Sequence, residues 1–308
     1  MLVLPEGTTA WVPATPSSES PRARAENSVV NAGGAVITIG LAPGAWAMGD
    51  GEVSQWVATC ATIVSRYLGT WPVTRAFVFV SPGDAGAIDG ETVDDRGGAI
   101  RLRIGRDVSL RAANENWVLV HEMIHLVLPD VGWPHPWLEE GVATYVEPIM
   151  RARAGAISEA SVWAEWLESM SQGLPDAHDE GLDRTHTWAR TYWGGALYFL
   201  KVDIEIRRAT HNERSLRDAL RAIAREGRGI GEHWGVERFI AVGDTATGVP
   251  AMRAMYERLA LAPGTVDLAA TWRDLGVAQK GPSVAFDDEA PLAYVRRGIM
   301  DVNGGGNR

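Results

Sequence analysis

The sequence predicts an α+β protein: a mixed first half, then a half that is almost wholly helical. Three observations lead there. Stretches with strand character, Ala35–Leu41, Val73–Val80 and Ala99–Ile104, all precede residue 105. Beyond Pro129 apolar residues recur at spacings of three and four, the helical period. At the junction stands His121-Glu122-Met123-Ile124-His125, with Trp137-Leu138-Glu139-Glu140-Gly141 shortly after it.

A chain of 308 residues allows about two domains or one lobed unit. The expected division is an N-terminal arm with short strands (1–48), an α/β lobe (49–128), a helical lobe (129–290), and a C-terminal strand and tail (291–308). A hydrophobic share of 46% and a charged share of 22% are those of a globular chain with a full core. The formal charge of −10 argues against non-specific nucleic-acid or anionic-membrane binding. Cys60 is the single cysteine, which excludes an intrachain disulfide. The start of the chain as given has no signal-peptide pattern, and no run of about 18 apolar residues occurs. The compartment is left open: cytoplasmic by default, with an export leader removed beforehand as the other route. Most of the 13 tryptophans are expected in the core.

In order, residues 1–34 are rich in Pro, Ser, Gly and Ala and read as an arm with one short strand near Ala10–Val12. Asp50 offers an N-cap for an amphipathic helix through Val53, Trp56, Val57, Cys60, Val64 and Leu68, ending at Gly69. Ser81–Gly98 reads as a polar loop. In Ala99–Ile104 the apolar residues alternate with Arg101 and Arg103, as expected of an edge strand with one wet face. A helix over about 112–128 is apolar all round in its middle, hence buried, and Pro129 stops it. Pro136 suits the first turn of the next helix. Further helices are expected near 158–172, 188–209, 214–226, 234–242, 250–261 and 266–275, then a short strand near Ala293–Arg297 and a frayed tail.

Two histidines four apart on a helix project from one face. A carboxylate from a neighbouring helix would make three protein ligands with one open position, the arrangement of a catalytic zinc. Two histidines and a glutamate in a buried helix each need a polar partner, which a metal supplies. Glu122, beside the ligands, is the natural general base for a metal-bound water attacking a carbonyl. Glu140 is favoured over Glu139 as third ligand, because Gly141 permits close helix contact. A three-histidine site fails, since Leu128 and Val131 stand where Gly and His would be required. His135 lies in a tight Pro-flanked loop and is a minor alternative ligand. An oxyanion formed at the carbonyl needs a donor. Tyr192 is the favoured candidate, because Gly194 and Gly195 point to close backbone approach there; His178 and His186 are alternatives. Glu147, two turns beyond Glu140, is a candidate outer partner of the site.

These residues resemble a known family. Trp137 to Glu147 is similar to the WLxEGxAxYxE block that follows HExxH in gluzincin aminopeptidases. Tyr192-Trp193-Gly194-Gly195-Ala196 and the run Val202–Thr210 resemble the YxKGA and LDxEIRxxT segments of the glycyl-aminopeptidase branch. The resemblance spans roughly 50–280 and includes Ser215-Leu216-Arg217-Asp218 and Asp267 to Val277. It implies His121, His125 and Glu140 as zinc ligands, Glu122 as base and Tyr192 as the stabiliser of the tetrahedral intermediate. It also implies a thermolysin-like fold within the wider alanyl-aminopeptidase clan, with an edge strand, Ala99–Ile104, lying over the zinc helix and pairing with an extended substrate. The chain departs from the pattern in four places. The gap from His125 to Glu140 is short, and Gly194 replaces the lysine of YxKGA. The stretch Gly97–Arg101, where the family carries a glutamate for the substrate amine, holds no acid. In the chain as given, neither the long N-terminal β-domain nor the PDZ-like C-terminal domain of larger members is expected.

The resulting expectation is a zinc metallopeptidase with one catalytic Zn2+ acting on a peptide or protein substrate. The alternatives are an inactive zinc-binding module that holds peptides and, more remotely, a helical scaffold without metal. Aminopeptidase versus endopeptidase action is left open.

Overall fold

A glycine pair starts the sheet. Gly33 and Gly34 adopt φ of 61° and 92°, the left-handed conformations that a tight two-residue hairpin requires. They join β1 (Glu26–Ala32) to β2 (Ala35–Leu41) with Ala32 paired to Ala35. The computed structural model describes residues 26–94, 97–281 and 283–301. The strand expected near Ala10–Val12 and the expected frayed tail lie outside these. Within the expected arm, β1 is a paired strand whose few apolar residues gave no local signal.

Helix α1 (Asp50–Leu68) crosses from β2 to β3 (Arg75–Gly83), which runs parallel to β2. It starts after Gly49, whose backbone N–H bonds Glu52, and ends at Gly69 with φ 71°. Next to β3 lies β5 (Ala99–Gly105), again parallel; β4 (Ile88–Val93) pairs antiparallel on the outside of β5. The order is β1-β2-β3-β5-β4. This corrects the expectation for the edge. Ala99–Ile104 is an inner strand, and the edge is β4, inside the stretch read as a polar loop. The alternation of Ile100, Leu102 and Ile104 with Arg101 and Arg103 is real. It records one buried and one wet face, and an inner strand of a sheet covered on one side has the same pattern.

Ile37, Ile39, Val78, Val80, Ile100 and Leu102 are buried in a core shared with Trp56 and Val64 of α1. Val29, Val36 and Phe79 remain exposed. The helix expected over 112–128 is two helices, α2 (Leu110–Glu115) and α3 (Val118–Val127). Asn116 breaks it: its backbone is extended, and its Oδ1 accepts the Val118 N–H at 2.8 Å. A short polar side chain that competes for backbone donors favours such a boundary.

The helical half comprises α4 (Pro136–Arg153), α5 (Glu159–Ser169), α6 (Gly195–Thr210), α7 (Leu216–Gly227), α8 (Val236–Thr247), α9 (Ala251–Met255) and α10 (Leu268–Leu275). Trp137, Trp163 and Trp166 are fully buried in it. A small hairpin of β6 (Val277–Lys280) and β7 (Ser283–Phe286) follows. The strand expected near Ala293–Arg297 is instead α11 (Ala293–Met300). Its buried residues, Val295, Arg296, Ile299 and Met300, follow the helical spacing, and Arg296 donates to the carbonyls of Leu275 and Gly276. Among the described residues no helix is long and apolar enough to cross a membrane.

Candidate metal centre

Helix α3 carries His121 and His125 one turn apart, and α4 brings Glu140 to them. Glu140 Oε2 lies 3.1 Å from His121 Nε2 and 3.4 Å from His125 Nε2. One ligand-capable atom from each residue lies within 4.8 Å of the other two, and among the described residues this is the sole such group of His, Cys, Asp and Glu. Two imidazole nitrogens and a carboxylate oxygen converging on one point are a donor set that fits zinc with a position left over.

Close backbone contact sets the meeting of α4 with the chain beyond it. A Cβ on Gly141 would stand 2.4 Å from the Gly195 backbone, and one on Gly195 would stand 2.1 Å from the Trp137 carbonyl. Both positions therefore need glycine, as the sequence led us to expect. The contact places Glu140 beside the segment that bears Tyr192. That segment, Arg190–Gly194, is a π-helical turn leading into α6, a feature often found at functional sites. It is held by buried Arg190, which pairs with Asp179 at 2.5 Å and also reaches the Gly173 carbonyl. The Tyr192 ring stacks over His121 at 6.3 Å between centroids, and Trp188 stacks on Tyr192 at 5.3 Å. Trp117 meets His121 edge-on at 5.0 Å.

The neighbouring carboxylates of α4 diverge. Glu139 Oε1 accepts the backbone N–H groups of Val131 and Gly132 at 2.7 and 3.0 Å, so it shapes the α3–α4 connection. Burial and the nearby Asp130 push its carboxyl up to about 7. Burial also opposes the charge on Glu140, yet the two histidines hold its carboxyl well below the usual range. Burial would lower His125, but the Glu140 carboxylate raises it to about 9. Burial and Glu140 together raise the Tyr192 phenol well above its ordinary value, so it remains a protonated hydrogen-bond donor.

Glu122 is buried at 8% exposure beside the ligands. Thr92 on β4 contacts it twice: Thr92 Oγ1 lies 2.7 Å from Glu122 Oε2 and 2.8 Å from the Glu122 carbonyl. Gly90, two residues earlier, is pressed against the same side chain; a Cβ there would stand 2.8 Å from Glu122 Cγ. Sequence reasoning missed both residues. In Ile-Asp-Gly-Glu-Thr-Val the strand formers Ile88, Thr92 and Val93 are interrupted by Asp89, Gly90 and Glu91, which strands disfavour, and pairing with β5 and the seat against α3 decide for a strand.

The remaining candidates are not in the ligand group. His135 Nδ1 bonds Asp183 Oδ1 at 2.8 Å and is not in the ligand group. His186 packs its ring on exposed Trp133 at 4.4 Å. His178 is exposed. Glu147 pairs with Arg151 at 3.0 Å, and Arg151 also donates to the Glu115 carbonyl at 2.6 Å. Glu147 thus braces the corner between α2 and α3 and makes no hydrogen bond to either histidine. Burial, against the pull of Arg151, pushes its carboxyl up to about 8.

No family model and no curated protein sequence matches the chain. Solved structures do match. An M1 zinc metallopeptidase from Deinococcus radiodurans aligns with a TM-score of 0.50 at 17% identity, covering 75% of this chain and 50% of that one. A mutant of the Deinococcus enzyme bound to a Tyr-Ser-Ala substrate gives 0.50 at 16%, covering 77% and 52%. An aminopeptidase N family protein from Idiomarina loihiensis gives 0.57 at 13%, covering 83% and 50%. The likeness is one of fold. This chain spans about half the length of these neighbours, and its mixed sheet and helical lobe are arranged as in an M1 peptidase domain.

Proposed function

We propose that the protein is a zinc-dependent metallopeptidase of the gluzincin kind, with His121, His125 and Glu140 as metal ligands. The observation that carries this reading is the convergence of those three donors on one point beside the buried Glu122. When bound, zinc supplies Lewis acidity and a water acidified to a pKa of about 7. Glu122 accepts the proton released as water attacks the peptide carbonyl, and returns it to the leaving amine. Tyr192, kept protonated by its surroundings, donates a hydrogen bond to the oxygen that gains negative charge. The thermolysin-like arrangement extends to the substrate strand. The outer edge of β4 carries no partner strand among the described residues and takes an extended peptide by strand addition. The absence of an acid in Gly97–Arg101 therefore says nothing of the substrate's free amine, because that stretch leads into an inner strand. The edge itself carries Glu91, which pairs with Arg101 at 3.1 Å.

The test is zinc analysis followed by cleavage-site profiling on a mixed library of free and N-blocked peptides. We expect one zinc per chain and chelator-sensitive cleavage, with the two pools separating N-terminal trimming from internal cutting. Bound zinc without turnover would replace the enzyme by a peptide-binding module. For Glu122→Gln we expect zinc retained and hydrolysis lower by about 100-fold or more; full activity would remove Glu122 as base.

A further inference from the structure

We propose that Thr92, on edge strand β4, is a positioning residue that fixes the Glu122 carboxylate in its working orientation, and that Gly90 lets the strand come close enough to do so. This rests on the metallopeptidase reading for the role of Glu122, but not for the contact itself. Thr92 and Gly90 are two apart, so they face α3 together. At Gly90 any side chain would meet Glu122 Cγ at 2.8 Å, Val118 Cγ1 at 2.9 Å and Leu102 Cδ2 at 3.1 Å. The strand is therefore as near the helix as its backbone allows, and the next residue on that face delivers a hydroxyl to the carboxylate.

Among the described residues, Thr92 is the one hydrogen-bond donor to the Glu122 carboxylate, and it engages Oε2. A glutamate side chain has much rotamer freedom to lose. Anchoring one oxygen removes most of that freedom and leaves Oε1 open to the proton it must take. The hydroxyl has one proton and two acceptors in reach, the carboxylate at 2.7 Å and the Glu122 carbonyl at 2.8 Å. When Glu122 is ionised, Thr92 donates to it. When Glu122 carries the transferred proton on Oε1, Oε2 is still an acceptor and the Thr92 hydroxyl keeps donating to it. A threonine or serine serves both states; an alkyl side chain serves neither. The strand that offers its outer edge to substrate thus also sets the angle of the base, and the two settings shift together.

The experiment uses the zinc-loaded full chain carrying Thr92→Val or Thr92→Ser, with the best library peptide as substrate. For Thr92→Val we expect kcat lower by about tenfold to a hundredfold, the range of one hydrogen bond to a charged group. KM should stay within about twofold, with zinc stoichiometry and melting temperature near those of the parent. Thr92→Ser should recover most of the loss. A Thr92→Val protein with parental kcat, or a Thr92→Ser protein as impaired as it, would overturn the proposal. If the valine does not fold, Thr92→Ala replaces it with the same criteria. A crystal structure of the zinc-loaded alkyl variant gives a readout independent of turnover: a displaced Glu122 carboxylate sustains the proposal, and an unmoved one overturns it. Should the parent protein cleave no peptide, the metallopeptidase reading fails, while this structure still decides the role of Thr92.

Discussion

Two histidine–carboxylate clusters are joined by the first turn of α4, and they are built on opposite principles. In one, Asp183 accepts hydrogen bonds from His135 Nδ1 and Trp137 Nε1, both at 2.8 Å, and from the Tyr256 hydroxyl at 2.7 Å. Protein donors supply both of its oxygens. In the other, Glu140 Oε2 faces the Nε2 atoms of His121 and His125. A neutral imidazole nitrogen that carries no proton is itself an acceptor. Three groups with lone pairs at one point need either added protons or a cation. The first cluster is complete as protein and works as a structural tie. The second, on the proposed reading, is completed by a bound cation. His and carboxylate residues alone therefore do not mark a metal site; what separates the two clusters is the number of protein donors each carboxylate has.

The largest expected effect tests the second cluster directly. Glu140→Gln keeps the shape and removes the charge. Even an outer partner of a zinc ligand is worth 10–100-fold in affinity, so zinc affinity should fall by more than about a hundredfold in competition against a chelator. Parental affinity in that variant would remove Glu140 as ligand and erase the distinction between the clusters.

A smaller effect concerns the rim of the same site. Tyr192→Phe keeps the ring stacked between His121 and Trp188 and deletes the hydroxyl. Turnover should fall by about a hundredfold, as for loss of one oxyanion donor, with zinc affinity unchanged. Unaltered turnover would pass the role to another donor, of which His186 is the first to examine.

These contrasts show what the sequence could and could not carry. The spacing of His121 and His125 is a helical fact, so one turn of α3 places both rings without help from the rest of the fold. Glycine at 141 and at 195 announces close approach, and each does lie against the other. The helices beyond Pro129 were legible because their apolar faces repeat locally. Strand β4 was not legible, because its residues read as a loop and only partners distant in sequence make it an edge. That one error placed the expected edge strand at Ala99–Ile104 and hid Thr92. At Ala293–Arg297 a short apolar run fits strand and helix alike, and its packing against α10 decides for helix. Glu147 was placed on the correct helix, and its i,i+4 spacing to Arg151, which claims its carboxylate, was a legible signal left unused.

The smallest expected effect breaks the first cluster and should leave the second intact. Burial opposes the charge on Asp183, but the donors His135, Tyr256 and Trp137 bring its carboxyl below the ordinary value of 3.8. A depressed folded-state value contributes stability that is fully present above the unfolded value and is lost as pH falls through the folded one. Asp183→Asn should therefore cost about 2 kcal/mol at neutral pH, the scale of a hydrogen bond to a charged group. The difference from the parent should shrink on acidification below about pH 4, in step with protonation of the parent carboxyl. Denaturant titrations of both proteins at pH 7 and pH 3 measure this, and zinc affinity is followed in parallel. If Asp183→Asn weakens zinc as much as Glu140→Gln does, the two clusters act as one unit through α4, and the separation drawn between them is wrong. If it lowers stability alone, the first turn of α4 holds the fold through Trp137 and the site through Glu140, and the two tasks are separable by mutation.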